Sequence, residues 1–391
     1  MTTRPVQEIA DYARALYEDI DFGAVKRWKE AVPGRKAVGH MPIYVPRELI
    51  HAAGMLPVGV LGGGDRLEII RGDAFFQSYI CRIPRSTIEL ALSGRLDCLD
   101  GMLFPSICDV IRNLSGMWQM LFPDRYVRYV DVPQNYDPKV GGRFWRLEID
   151  RMRDDFARVA GRKITDDDLR RSIVVYNENR AVLRELYAER SRRPWVYPLS
   201  EVFLILRAGN VLPPEEHTAL VREYLASAAA DASRKEMDQS RVILVGMFCE
   251  QPPHGLILTL ERAGCSVVDD DLMLGLRWIT RDIPVDDDPM GALVDGYLTA
   301  SVMTASRYAP EGNRAQWLID SCERNRAEGV IFCAASFCDP ALLEQPMLVA
   351  GLDRAGIPHT EFKYSEDTGQ FAVIREQAGT FSDSIRLWSE A

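Results

Sequence analysis

The stretches DGMLFPSICD at residues 100–109 and EGVIFCAASFCD at residues 328–339 are two versions of one segment, and their reading decides the fold. In each, an acid–Gly pair opens a short apolar run, and Ser-x-Cys-Asp follows; the later copy has two extra residues in its loop. An apolar run of this length bounded by turn residues reads as a buried strand. The Asp after the cysteine suits a helix start, so Asp109 and Asp339 are expected as N-caps, with Pro340 at the first helical position.

The repeat extends upstream. KAVGHMP at 36–42 reads as a strand, PRELIHAAG at 46–54 as a helix ending on glycine, and LPVGV at 56–60 as the next strand. RVILVGMF at 241–248, LILTLERAG at 256–264 and CSVV at 265–268 follow the same order. Strand, loop, helix, glycine C-cap and strand make a right-handed βαβ unit, which occurs twice. The fold class expected is α/β, with two duplicated Rossmann-like parallel-sheet lobes at 36–144 and 239–391. A helical segment at 1–35 precedes them. A charged stretch at 145–238 separates them, in which Leu169, Ile173, Tyr176, Arg180, Leu183 and Tyr187 recur at helical steps after a Thr165–Asp168 capping arrangement. That insert reads either as a scaffold between lobes or as a docking face for a partner.

This arrangement puts Cys108 and Cys338 at the carboxyl ends of parallel strands, where open α/β sheets bind ligands. The helix starts beside them are expected to favour thiolate over thiol. Eight cysteines occur, at 81, 98, 108, 249, 265, 322, 333 and 338, without the paired CxxC spacing of a zinc ribbon or bacterial ferredoxin. Most cytosolic cysteines are small buried hydrophobes. Two at equivalent places in duplicated lobes read as ligands as readily as core residues.

Composition narrows the class. At 391 residues with 47% apolar content, the chain suits about two or three soluble domains. A net charge of -10 argues against nucleic acid as a partner. No secretory signal and no membrane span are read, so a cytoplasmic protein is expected. No P-loop, GxGxxG, GxSxG or HExxH occurs. The Gly62-Gly-Gly64 turn suits a phosphate's approach or simple flexibility. His40 reads as an ordinary loop histidine or, at a strand end, a proton-handling one; the acidic triplets at 166–168, 269–271 and 286–288 read as solvated turns and caps, the second alternatively as a cation site after a strand. Tyr44, Tyr79 and Glu250 stand beside expected strand ends as candidate proton donors.

The strings YICRIPRS (79–86), PSICDVIRNL (105–114) and SFCDP (336–340) resemble the 2-hydroxyacyl-CoA dehydratase and benzoyl-CoA reductase family. The likeness runs on through YVPRELIHAAG (44–54), FCEQPP (248–253) and REQAGTFSDSIRLW (375–388), so it covers nearly the whole chain. It implies that Cys81, Cys108 and Cys338 each bind one iron of a 4Fe–4S cluster, with the fourth iron left open. Cys249 and Cys333 are then lining residues, and Cys98, Cys265 and Cys322 core residues. It further implies a hetero-oligomer: a paralogous cluster-bearing subunit, ATPase subunits with a bridging cluster, and ferredoxin as donor. On the reductase side of the family the substrate is benzoyl-CoA and the product a cyclohexadiene carboxyl-CoA. On the other side a 2-hydroxyacyl-CoA is dehydrated. A non-catalytic electron-relay role within such a complex is a further alternative.

Overall fold

In the computed structural model, which describes residues 4–246, 252–272, 274–302, 304, 314–364 and 371–389, the repeat becomes two four-stranded parallel sheets. Two helices lead in, α1 (Val6–Glu18) and α2 (Gly23–Ala31). The first lobe runs β1 (Ala37–His40), α3 (Arg47–Ala52), β2 (Leu56–Gly59), α4 (Arg82–Leu92), β3 (Gly101–Pro105), α5 (Asp109–Leu121) and β4 (Tyr126–Val130). The insert is α6 (Arg143–Ala160), α7 (Asp166–Arg192), α8 (Leu199–Ala208) and α9 (Pro214–Ala230). The second lobe starts with β5 (Ser240–Val245), α10 (His254–Arg262), β6 (Cys265–Asp270), α11 (Leu274–Arg277) and α12 (Pro289–Ala300). It closes with α13 (Arg314–Asn325), β7 (Gly329–Ala335), α14 (Asp339–Ala355), β8 (His359–Tyr364) and α15 (Phe371–Ser389).

The strand orders are β2-β1-β3-β4 and β6-β5-β7-β8, the same order in each lobe. Val38 pairs with Gly101 and Val242 with Gly329, so the two acid–Gly pairs open their strands at matching places. The Ala-Gly helix ends also match. Gly54 and Gly264 both take positive φ, +78° and +91°, which lets α3 and α10 stop and turn directly into the next strand.

The insert joins the lobes. Leu169, Ile173, Tyr176, Arg180, Leu183 and Tyr187 form one buried face of α7, and Thr165 and Asp168 make the reciprocal capping box at its start. Arg180 pairs with Glu48 of α3 at 2.5 Å, while Arg190 pairs with Asp270 at the end of β6 at 2.7 Å. One helix thus ties to both lobes, which is the scaffold reading of the insert. The leading helix α1 packs on α8 and α9. Direct contact completes the join: Gly275 lies so close to Pro42 that a Cβ would come within 2.1 Å of its carbonyl oxygen. Tyr44 packs edge-on against Trp278 and Tyr297. One apolar core therefore runs through the first lobe, the insert and most of the second. Among the described residues no helix is long and apolar enough to cross a membrane.

A candidate cluster site at three helix starts

Cys81, Cys108 and Cys338 share a structural position: each is the N-cap residue of a helix, of α4, α5 and α14 respectively. The duplication explains two of them in detail. After β3, the Ser106 amide donates to the Val130 carbonyl at 2.9 Å; after β7, the Ser336 amide donates to the Tyr364 carbonyl at 2.8 Å. Each serine is thereby tied to the last residue of the neighbouring strand, and the chain swings its cysteine to the helix start two residues later. The Cys108 carbonyl then accepts from Arg112, and that of Cys338 from Leu342, as the first helical turns close. Aspartate does not cap these helices, contrary to expectation. Asp109 and Asp339 are already helical residues and Pro340 is the second, because the serine tether ends one residue sooner and leaves the cap to cysteine.

Cys81 arrives by another route. The loop between β2 and α4 is held onto α4 by Glu89, which is 5% exposed. Its Oε2 accepts from the amides of Ile70, Arg71 and Gly72 at 3.0, 2.6 and 2.7 Å. Burial pushes the Glu89 carboxyl up, but the three amides and Arg71 outweigh it and hold it below its ordinary value. Arg82 donates to the Leu67 carbonyl at 2.8 Å, which fixes the residue after Cys81 to the same loop. Because α4 packs against α5, the starts of these two helices belong to one face of the first lobe.

The two lobes meet at this edge. The Cys108 thiol lies within the field of the Asp339 carboxylate, which opens the helix that Cys338 caps. The sequence gives no hint of the net charge balance at Cys108. Burial pushes its thiol up, the amides of Ile111 and Val110 pull it back, and Asp109 and Asp339 push it up again. The balance lies above the ordinary value, so, contrary to the expectation that the helix start favours thiolate, Cys108 is held toward the thiol. Phe337, just before Cys338, holds φ at +66°, a strained value for a phenylalanine, and is 52% exposed. Tyr79, two residues before Cys81, is likewise exposed.

Donor type and spacing define what these thiols can hold. Among the described residues no three His, Cys, Asp or Glu side chains converge closely enough for one metal ion. A 4Fe–4S cluster makes a different demand, since it takes each thiolate on a separate iron. Cys108 receives the amides of Ile111 and Val110 and faces the Asp339 carboxylate at the start of the helix that Cys338 caps, while Cys81 caps a helix packed against that of Cys108. None of the seven described cysteines is joined to another in a disulfide.

The remaining candidates separate from this edge. Cys333 is fully buried inside β7, four residues after Gly329 as Pro105 is after Gly101, so it belongs to the sheet interior and not to the lining. Burial pushes the Cys333 thiol well above its ordinary value, and burial takes Cys265 and Cys322 up to about 12. Cys265 and Cys322 are core residues, and Cys98 lies partly exposed at the core margin. Cys249 and Glu250 lie outside the described residues. His40 is buried and lowered to about 4 by burial, with its Nδ1–H donated to the Met41 carbonyl. Tyr44 is 1% exposed and hydrogen-bonds Thr304, so it is a lobe-joining core residue and not a proton donor to the edge.

The triplet at 269–271 is not a solvated turn. Asp270 and Asp271 are both buried, the first against Arg190 and the Tyr187 hydroxyl, the second against Arg314 and the Gly246 amide. The arginines come from helices 43 or more residues away, out of reach of a local reading. Arg314 also pairs with Glu344 of α14 at 2.8 Å.

Two Rossmann-like lobes of identical strand order, with three helices capped by cysteine, define a duplicated α/β protein. The chain belongs to the 2-hydroxyglutaryl-CoA dehydratase, D-component family, whose model matches residues 42–385. It is 55% identical over 98% of its length to one of the benzoyl-CoA reductase subunits of Thauera aromatica, covering 99% of that protein. It is 28% identical to the (R)-phenyllactyl-CoA dehydratase beta subunit of Clostridium sporogenes, over 90% of this chain and 92% of that one. The figure for the beta subunit of (R)-2-hydroxyglutaryl-CoA dehydratase of Acidaminococcus fermentans is 29%, over 91% and 94%.

Proposed function

We propose that this chain is the iron–sulfur subunit of a complex that reduces benzoyl-CoA to a cyclohexadiene carboxyl-CoA. Cys81, Cys108 and Cys338 hold a 4Fe–4S cluster, one iron each, and leave the fourth iron without a protein thiolate. When bound, the cluster supplies single electrons at low potential. The chain's own residues hold it at the lobe junction: the serine tethers of Ser106 and Ser336 fix two ligands, and Glu89 fixes the loop that delivers the third. Exposed Tyr79 and Phe337 flank the ligands on the open side, where they are covered by a second, paralogous cluster-bearing subunit. ATPase subunits with a bridging cluster, fed by ferredoxin, complete the complex, in keeping with the lack of a P-loop here.

The observation that carries the choice of reaction is the 55% identity over 98% of the chain to a benzoyl-CoA reductase subunit, against 28% and 29% to dehydratase beta subunits. The second reading, a 2-hydroxyacyl-CoA dehydratase subunit, is favoured by the family description. Assay of the anoxically purified complex with ATP and a reductant decides between them. Net electron uptake with benzoyl-CoA, and none with a 2-hydroxyacyl-CoA, is expected. Dehydration of the 2-hydroxyacyl-CoA without net reduction would overturn the reductase reading.

A further inference from the structure

The second lobe carries a buried ionic group that the first lobe does without. Arg314, at the start of α13, pairs through Nη2 with Asp271 Oδ2 and through Nε with Glu344 Oε2, both at 2.8 Å. The side chains of Arg314, Asp271 and Glu344 are 11%, 3% and 13% exposed. Asp271 follows β6, and its Oδ1 accepts from the Gly246 amide at 2.6 Å. Glu344 lies in the second turn of α14, six residues past Cys338.

The repeat shows that packing does not require these acids. The Val60 amide donates to the His40 carbonyl, and the Asp271 amide to the Leu244 carbonyl, at matching places beside β1 and β5. Val60 is therefore the counterpart of Asp271. Leu114 stands six residues past Cys108 and is the counterpart of Glu344. Both counterparts are apolar and fully buried. Well-packed apolar residues are often as stabilising as a buried ion network, or more so. Packing alone does not account for the acids.

Two carboxyls share one guanidinium, so the group keeps a surplus negative charge in the interior unless it binds a proton. Asp271 has the Gly246 amide as well as Arg314, whereas Glu344 has only Arg314 among the described residues, so the proton belongs on Glu344. Burial raises the Glu344 carboxyl to about 7, with Arg314 opposing and Asp271 adding. Behind Asp271 stand Asp270, itself paired with Arg190, and the Cys333 thiol. On α14 the nearest charged residue is Asp339, at the helix start. Glu344 is also the most exposed of the three, so solvent exchanges the proton there. Helix rise places it about 9 Å along α14 from Cys338.

We propose that Glu344 is a proton site coupled to electron uptake at the cysteine-capped edge. When a low-potential iron–sulfur donor gives this subunit one electron, the Glu344 carboxylate takes one proton from water. Both leave again, the electron to the thioester and the proton to water. The cause is charge compensation: a unit negative charge added about 10 Å away tightens proton binding roughly tenfold at an effective dielectric constant of about 20. Arg314 and Asp271 hold the carboxyl in place for that exchange. The inference rests on the cluster reading of Cys81, Cys108 and Cys338, and adds a residue that makes electron uptake depend on pH.

The test is a redox titration of the anoxic complex, followed by electron paramagnetic resonance, with the parent chain and with Glu344→Gln or Glu344→Leu in this subunit. This subunit's signal is the one that the Cys338→Ser complex lacks. Between about pH 6 and 9 the parent midpoint potential is expected to fall by about 59 mV in all, the equivalent of a tenfold change in proton binding for a one-electron couple. Both variants should show no such fall, while their iron content and thermal midpoint do not drop, since Leu114 fills the same place in the first lobe. A parent potential that ignores pH, or a fall that persists in both variants, would overturn the inference. So would loss of the signal in both variants, which marks Glu344 as a structural support. A parent complex with no signal that Cys338→Ser removes would sink the cluster reading itself, and this inference with it.

Discussion

Replacing Glu89 by glutamine tests how the third ligand is delivered. In the native chain, one carboxylate oxygen receives three backbone amides, at 2.6 to 3.0 Å, from the loop that leads to Cys81. Hydrogen bonds to a charged group contribute about 1.5–3 kcal/mol each, and neutral ones about 0.5–1.5. Glutamine keeps an acceptor oxygen but not the charge, so each bond weakens by about 1 kcal/mol. That corresponds to a fall in amide protection of roughly fivefold at each of Ile70, Arg71 and Gly72. Hydrogen exchange on the anoxic complex reads this directly. The pH dependence has a definite sign. The folded Glu89 carboxyl lies below its ordinary value, so its stabilisation is present above the unfolded pKa of about 4.5 and is lost as pH falls through the folded value. The parent should lose protection at these amides on acidification, after correction for intrinsic exchange, and Glu89→Gln should show no such step. Equal protection in the two proteins at neutral pH would refute the reasoning, because the loop would then be held by something other than this carboxylate.

Two other perturbations address the scaffold. Arg180→Met strands the buried Glu48 carboxylate, 6% exposed, and should cost about 3–5 kcal/mol in urea unfolding, part of which Glu48→Gln in the same chain restores. Failure of the double variant to recover any stability would show that the pair does not couple insert to lobe. At Glu344, burial raises the carboxyl to about 7, Arg314 opposes and Asp271 adds, so the folded state holds a proton that the unfolded chain has released. Stability should therefore decline as pH rises from about 4.5 to about 7 and then level off, and Glu344→Gln should flatten that decline in urea midpoints.

The fold was legible because the repeat was. Each lobe pairs an apolar strand, an Ala-Gly helix end and a Ser-x-Cys-Asp turn, and each feature has a local cause that survives without tertiary information: strand burial, the positive φ of Gly54 and Gly264, and a short tether to the next strand. The helical insert was legible for the same reason, since the Thr165 box and the α7 face are local patterns. What sequence missed depends on distant partners. Asp270 and Asp271 read as solvated until Arg190 and Arg314 arrive from α7 and α13. Tyr44 read as an edge residue until the second lobe covers it with Trp278 and Tyr297. The segment that leads from β6 to α13 in the second lobe is longer than the loop before Cys81 and differs from it in sequence, so the role of Glu89 had no repeated signal to expose it.

The central claim is that Cys81, Cys108 and Cys338 are the ligands, and one comparison tests it most sharply. Cys333 and Cys338 lie five residues apart on one strand-to-helix segment, the first inside β7 and the second at the start of α14. Iron, acid-labile sulfide and the reduced-state electron paramagnetic resonance signal are measured on anoxic complexes carrying Cys333→Ser or Cys338→Ser in this subunit. Serine's hydroxyl stays protonated and is a poor substitute for thiolate on iron, so Cys338→Ser should lose this subunit's cluster, as should Cys81→Ser and Cys108→Ser. Cys333→Ser should keep it, like Cys98→Ser, Cys265→Ser and Cys322→Ser. A cluster retained in Cys338→Ser and lost in Cys333→Ser would contradict the account, because the ligand would then be the strand cysteine and the duplication would have been aligned on the wrong residue.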